Sequence, residues 1–366
     1  MQAFPELGFY ALPGHAIEPK QIFEDVTAGD SLGFGSVWIS ERLNNKELGV
    51  LSGISLAKSP NMAVAAGLIA NLPARNPVLT AAYASTMMLL SDNRFALGIG
   101  RGFNSLADSL GIPHMNFALF ADYFDILRRL WRGETVDYQG PAGTLKGAKL
   151  GMKLDVIPPI IMAAMGPKTL YWAGQHADGV LLQPLWSTDG VAASIDIVRR
   201  GALDAGRDPD SVKIWPIVVT ASDVSEEKQL DYVVRRMSTY AVLPHILEAV
   251  CAINQWSLDE VLPVRQAIRD EMDQAKAGSM GDEGVTREHD QLRRLRDLWP
   301  EKWLYEGNAM GTAQHCAGRL KDYFDAGADG IVLHGSRPQD LASLLDIWPQ
   351  YRPAERFVGR GVNPGL

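Results

Sequence analysis

Short apolar or β-branched runs alternate along most of the chain with longer stretches whose apolar residues recur at helical spacing. The runs predict strands at Leu7–Leu12, Ser36–Ser40, Met62–Ala70 and Phe95–Ile99, then I-I-M-A-A within Asp155–Ala164, and then Gly179–Gln183, Val212–Thr220 and Gly330–His334. The longer stretches predict helices at Pro19–Ala28, Pro77–Leu90, Phe117–Arg132, Lys168–His176, Val191–Ala205 and Thr312–Ala326. Strands that read as unbroken apolar runs suit a parallel sheet covered on both faces. L-Y-W-A-G-Q-H-A-D-G-V-L-L at Leu170–Leu182 is echoed by Y-F-D-A-G-A-D-G-I-V-L at Tyr323–Leu333. In each, a helix ends, an Ala-Asp-Gly turn follows and a buried strand begins. Eight strands in one continuous alternation predict a single α/β domain folded as a (β/α)8 TIM barrel; a doubly wound open sheet fits the count less well.

The alternation breaks once, between Ser225 and Asn308, where the chain is charged and helix-rich around a glycine-containing A-G-S-M-G-D-E-G. This predicts a helical insertion after strand 7, at the C-terminal face where barrel active sites lie. A lid or pocket wall is one reading, and an oligomer contact or decoration the other.

Composition narrows the partners. With 366 residues and 46% hydrophobic content the chain buries a large core. Its net charge of −8, with Lys and Arg scattered, excludes a nucleic-acid backbone as partner. No run approaches the ~20 apolar residues of a membrane span, and M-Q-A-F-P-E-L-G-F-Y has no signal-peptide pattern, so no membrane partner and a cytoplasmic location are expected. Cys251 and Cys316 have no metal or redox spacing and read as free thiols; the seven His show no ligand pattern, so no metal is expected.

A barrel directs attention to strand ends. His15 follows strand 1 as a possible acid or base, or as a turn residue. Glu41 and Arg42 follow strand 2, as an acid or base with a clamp, or as a surface ion pair. Asn71 follows strand 3, Met165–Lys168 follow strand 5 with amides open to an anion, and His334 ends strand 8. Phe9, Tyr10, Trp38, Phe103 and Trp186 near strand ends point to apolar walls and a substrate with little charge. The loop L-G-I-G-R-G-F at Leu97–Phe103 lacks the third glycine of the dinucleotide fingerprint G-x-G-x-x-G, since Phe103 stands there, and no clear helix is predicted before Pro113. It reads instead as a strand exit open to a flat or anionic ligand, with Arg101 placed for a phosphate.

Five motifs in order resemble the bacterial luciferase-like flavin and deazaflavin oxidoreductases: S-V-W-I-S-E-R at Ser36–Arg42, N-L-P-A-R-N-P at Asn71–Pro77, N-R-F-A-L-G-I-G-R-G at Asn93–Gly102, A-A-M-G-P-K at Ala163–Lys168 with its A-D-G-V-L-L, and the final A-G-A-D-G-I-V-L. The resemblance implies a barrel with an insertion and an isoalloxazine-type ring across the strand C-termini. It implies cofactor and substrate contacts from Ser40, Glu41 and Arg42. It also implies a strand-3 bulge at Leu68–Ile69, often with a cis peptide, followed by Ala70 and Asn71. Gly100, Arg101 and Gly102 are implied to contact the cofactor's tail, together with Met165, Gly166, Pro167, Lys168 and Thr169. Members acting on sugar phosphates carry Asp-His after strand 2 and a glutamate where Phe103 stands, so that chemistry is not expected. The leading expectation is hydride transfer between coenzyme F420 and a small substrate, with His15, Glu41 and Arg42 as proton-handling or clamping groups, in a homodimer. An FMN-dependent monooxygenase, kept open by Arg101, a cofactor-binding protein without turnover and a barrel aldolase or isomerase are the alternatives; the last lacks an evident Schiff-base lysine or metal ligands.

Overall fold

The computed structural model describes residues 3–12, 18–42, 46–70, 72–243, 245–274 and 288–366. Eight parallel strands close on themselves in chain order: β1 (Phe4–Tyr10), β2 (Phe34–Ser40), β3 (Ala63–Leu68), β4 (Phe95–Ile99), β5 (Ile160–Ala164), β6 (Gly179–Leu182), β7 (Lys213–Ser222) and β8 (Ile331–Gly335). Register fixes the closure, with Trp38 beside Ala65, Leu97 beside Ile160, Leu181 beside Trp215, His334 beside Val219, and Leu7 of β1 beside Ile331 of β8. The predicted strands and helices are all present, the ends shifting by a few residues; Pro77–Leu90 and Phe95–Ile99 match to the residue.

Alternate residues of each strand divide between two cores. Outward residues such as Leu7, Phe9, Val37 and Leu97 pack under the surrounding helices. The lumen holds Tyr10, Trp38, Ala65, Ala96, Ile161, Leu181, Trp215, Ile217 and Val332. Trp38 and Trp215 meet at 5.3 Å between ring centroids, and small alanines on β3 and β4 make room for them. A Cβ at Gly8 would stand 2.5 Å from Trp38 Nε1, so only glycine fits where the Trp38 indole lies across β1.

The N-terminal mouth is stoppered by the last residues. Trp215 Nε1 donates to the Pro364 carbonyl at 2.8 Å, and Asn363 Nδ2 donates to the carbonyls of Asn93 and Phe95 at 2.7 and 3.0 Å.

Elements not anticipated include the helices Leu48–Lys58, Asn104–Leu110 and Ala342–Ile347, the hairpin Val136–Gly140/Gly143–Ala148, and the strand Asn308–Gly311. The strand Asn308–Gly311 is only four residues, too short for a period, and pairs with Val219–Ser222 at the C-terminal end of the long β7. The Ser225–Asn308 segment is mostly helical where described, including Arg235–Val242, Ile246–Asn254, Leu262–Gln274 and His289–Leu298; A-G-S-M-G-D-E-G lies outside the described residues. Asn254 ties the insertion to the β6 exit, its Nδ2 donating to the Leu185 carbonyl at 2.8 Å and its Oδ1 accepting from Ser187 N at 3.0 Å. Among the described residues no helix is long and apolar enough to cross a membrane.

Asn363→Ala leaves the buried Phe95 carbonyl and the partly buried Asn93 carbonyl without their donor and is expected to cost about 1–3 kcal/mol, read as a lower urea midpoint at unchanged m.

Candidate active site

At the C-terminal mouth the geometry begins with a misfit in β3. Ile39 pairs with Ala66 but Ser40 pairs with Leu68, so Gly67 is an extra residue and β3 bulges there. The bulge is held from both sides: Glu41 N donates to the Leu68 carbonyl at 3.0 Å, Ile69 N donates to the Gly98 carbonyl at 2.8 Å, and Gly100 N donates to the Ile69 carbonyl at 2.9 Å. This explains two glycines of the L-G-I-G-R-G-F loop. A Cβ at Gly98 would stand 1.8 Å from the Ala66 carbonyl oxygen, and one at Gly100 would stand 2.7 Å from the Leu68 side chain. They are small because β3 presses on them. Gly102, at φ +68°, takes a left-handed turn. The described residues contain no cis peptide, so Leu68–Ile69 is trans, where the resemblance allowed cis. Ile69 is buried while Leu68 and Ala70 are partly exposed, giving an apolar ledge; Asn71 lies outside the described residues.

The loop does not run on without structure to Pro113, as expected from the sequence. A seven-residue helix, Asn104–Leu110, follows Phe103 and stops at the left-handed Gly111. It buries only Ala107 and therefore has no apolar period to read. Arg101 and Phe103 are exposed beside the ledge. On β5, next to β4, the exit Met165–Thr169 opens the helix Pro167–His176 with Gly166 as an N-cap that lends no side chain. Thr169 N and Leu170 N both bond to the Gly166 carbonyl, and Pro167 has no N–H, so the Lys168 amide is the first-turn donor facing outward. The Lys168 side chain is exposed.

The β2 exit departs most from expectation. Glu41 and Arg42 do not act as a pair. The Glu41 carboxylate is buried and accepts from Arg75, from Nε at 2.9 Å and from an Nη, while the same guanidinium bonds Glu47 at 2.9 Å. Burial outweighs Arg75 and pushes the Glu41 carboxyl above its ordinary range. Strand alternation is the reason: Ser40 follows Ser36 and Trp38 toward the lumen, which turns Glu41 outward. Ser40 Oγ is buried with no hydrogen-bond partner among the described residues. Arg42 is bridged to Lys46 by two backbone bonds, and Lys46 Nζ donates to the carbonyl of Leu12 at 2.7 Å. Leu12 itself sits at φ +50°, a strained conformation for a branched side chain. His15 lies outside the described residues.

At the end of β8, His334 is buried against Tyr10, with ring centroids 4.5 Å apart. Burial first, and then the charges of Arg236, Arg42 and Lys46, hold its imidazole well below the usual range, so it is neutral at physiological pH. Of the expected apolar walls, Tyr10 and Phe103 are at the mouth. Phe9 points the other way, packing on Phe34, and Trp186 is buried with its Nε1 on Ser194. Arg75, Lys46 and Arg236 were missed because a lone cation in a loop or helix carries no pattern; His334 was visible only as a strand-end residue.

Arg75→Met strands the buried Glu41 carboxylate. The folded carboxyl is then raised further, the folded state binds more protons than the unfolded one, and stability falls as pH rises. A loss of about 2–3 kcal/mol at pH 8, discounted because Arg75 is partly exposed, and a much smaller loss near pH 4 are expected from urea unfolding at the two pH values.

Comparison with known proteins places this architecture. The chain is 26% identical over 332 residues, 90% of its length and 91% of the relative's, to 5,10-methylenetetrahydromethanopterin reductase of Methanolobus tindarius. Its fold superposes with a TM-score of 0.76 on the coenzyme F420-dependent tetrahydromethanopterin reductase of Methanopyrus kandleri, at 17% identity over 95% of this chain and 99% of that one. It superposes with a TM-score of 0.72 on an F420-dependent secondary alcohol dehydrogenase in complex with an F420–acetone adduct, at 17% identity over 96% and 100% of the two chains. The luciferase-like monooxygenase profile matches residues 7–330. A parallel barrel with a bulged third strand, an insertion after strand 7 and a match across most of its length make this chain an oxidoreductase of the luciferase-like monooxygenase family.

Proposed function

We propose that the protein transfers a hydride between coenzyme F420 and a small organic substrate. The observation that carries this reading is the apolar ledge of the β3 bulge with Ser40 Oγ buried and unpartnered beside it, which fits a flat heteroaromatic ring needing one hydrogen bond at its edge. The relationship over nine-tenths of the chain to a methylenetetrahydromethanopterin reductase, together with the fold shared with two F420-dependent enzymes, supports the deazaflavin over FMN. When bound, the deazaflavin would supply the hydride chemistry. Leu68, Ile69 and Ala70, with Asn71, would back the ring. Gly100, Arg101 and Gly102 would receive its tail with Met165, Gly166, Pro167, Lys168 and Thr169, through the outward Lys168 amide and the Arg101 guanidinium. Arg42 would face the substrate, while Glu41, clamped by Arg75, would fix the β2 exit as a positioning residue. A reducing, cytoplasmic setting is part of the proposal, since Cys251 and Cys316 are free thiols and not a disulfide.

A second copy of the chain is the partner we propose. Leu48–Lys58 carries one charge, Lys58, and Pro77–Leu90 none, yet Val50, Leu79, Leu89 and Leu90 are more than half exposed. Helices apolar on every side are buried against something.

Titration of the protein with F420, FMN and FAD, followed by Trp fluorescence, is expected to show tight F420 binding, weakened in Arg101→Ala by about 1–3 kcal/mol. FMN binding without F420 binding would overturn the cofactor assignment. Leu79 and Leu90 are eleven residues apart and so fall within about 20° on one helix face. Light scattering should find a dimer that Leu79→Glu/Leu90→Glu converts to a folded monomer; a wild-type monomer would sink the dimer.

A further inference from the structure

The mouth has a second arc, formed by β8, β1 and β2, that the cofactor ledge does not use. There His334 is 2% exposed, and its Nδ1 has no hydrogen-bond partner among the described residues. An unbonded buried nitrogen costs about 1–3 kcal/mol, which a ligand atom in bonding range would recover. The fold brings cations to this point from separate elements. Arg42 and Lys46 come from the loop after β2, and Lys46 Nζ stands 5.8 Å from the centroid of the Tyr10 ring that packs on His334. Arg236 comes from the insertion and is itself only 7% exposed. It follows a π-helical turn, Leu230–Val234, and the Tyr232 carbonyl of that turn would meet a Cβ at Gly335 at 3.0 Å. The helix is therefore seated on the residue next to His334, and π turns of this kind recur at functional sites. Among the described residues, the charges acting on His334 are all positive.

We propose that this arc is an oxyanion site that takes a carboxylate or phosphate group of the substrate, Arg236, Arg42 and Lys46 supplying charge and His334 and Tyr10 hydrogen bonds. Each cation keeps its protein contacts, such as Lys46 on Leu12, and the oxyanion adds to them. Charge attraction is stronger in this half-buried setting than in water, and a guanidinium fork matches the paired oxygens of a carboxylate or phosphate. The inference rests on the oxidoreductase reading and deepens it: the substrate is anionic, in place of the nearly uncharged molecule suggested by the aromatic residues.

The test is calorimetric titration of the cofactor-free protein with oxalate and with inorganic phosphate, against chloride at equal ionic strength. Saturable binding of at least one is expected, and the better ligand tells carboxylate from phosphate. Affinity should fall at least about tenfold in Arg236→Gln and His334→Gln, the loss of one charge-assisted bond. It should be unchanged in Arg199→Gln, whose side chain pairs with Asp210 ahead of β7. If circular dichroism shows His334→Gln unfolded, Arg236→Lys, which keeps the charge and loses the fork, should bind with intermediate affinity. No binding beyond chloride, or binding unchanged in Arg236→Gln, overturns the site. F420 titration of the same samples separates the two readings: deazaflavin binding without oxyanion binding removes only this inference, and the reverse result removes the cofactor assignment.

Discussion

The filled lumen of the barrel is the constraint on which the rest depends. Trp38 and Trp215 meet across it, and their bulk is accommodated by alanines on β3 and β4 and by the missing side chain of Gly8. A lumen packed to interior density is a floor and not a channel. Ligands are therefore confined to the layer above, where Tyr10, Ser40 and His334 are the last inward residues of β1, β2 and β8. The other end is closed by the tail, through Trp215 on Pro364 and Asn363 on two strand carbonyls. One aromatic pair thus joins the stopper at one mouth to the floor of the site at the other.

Above that floor the mouth divides into two arcs of different chemistry. On the β3–β5 side, the bulge at Gly67 offers backbone and apolar surface, and the glycines of β4 are small because the bulge leans on them. On the β8–β1–β2 side, three cations and a neutral imidazole gather. Burial keeps that imidazole uncharged, which lets it bond to an oxygen without adding to the positive field. Glu41 stands between the arcs and belongs to neither, since Arg75 takes its carboxylate outward. The insertion contributes to the second arc through Arg236, so the segment that breaks the strand-helix alternation also completes the mouth.

Much of the fold was legible because period and position carry it. Parallel strands buried on both faces read as apolar runs, and amphipathic helices read at 3.6 residues, which is why Pro77–Leu90 and Phe95–Ile99 were found to the residue. Asn104–Leu110 and Asn308–Gly311 escaped because seven or four residues do not complete a pattern. The glycine loop and the Met165–Thr169 exit stand at the strand ends where the sequence put them, and their cofactor role is the proposal. The reason for the glycines was not legible, since close approach to Ala66 and Leu68 exists only after β3 and β4 are paired.

By itself, then, the sequence determined the eight strands and their parallel order, both consequences of local periodicity and chain order. Tertiary structure decided which charges meet. Adjacent Glu41 and Arg42 separate because strand residues alternate faces, while Glu41 meets Arg75 across 34 positions, and Tyr10 meets His334 only because β1 closes on β8. Charge partnerships over such separations follow from the closure of the barrel, which no local pattern encodes.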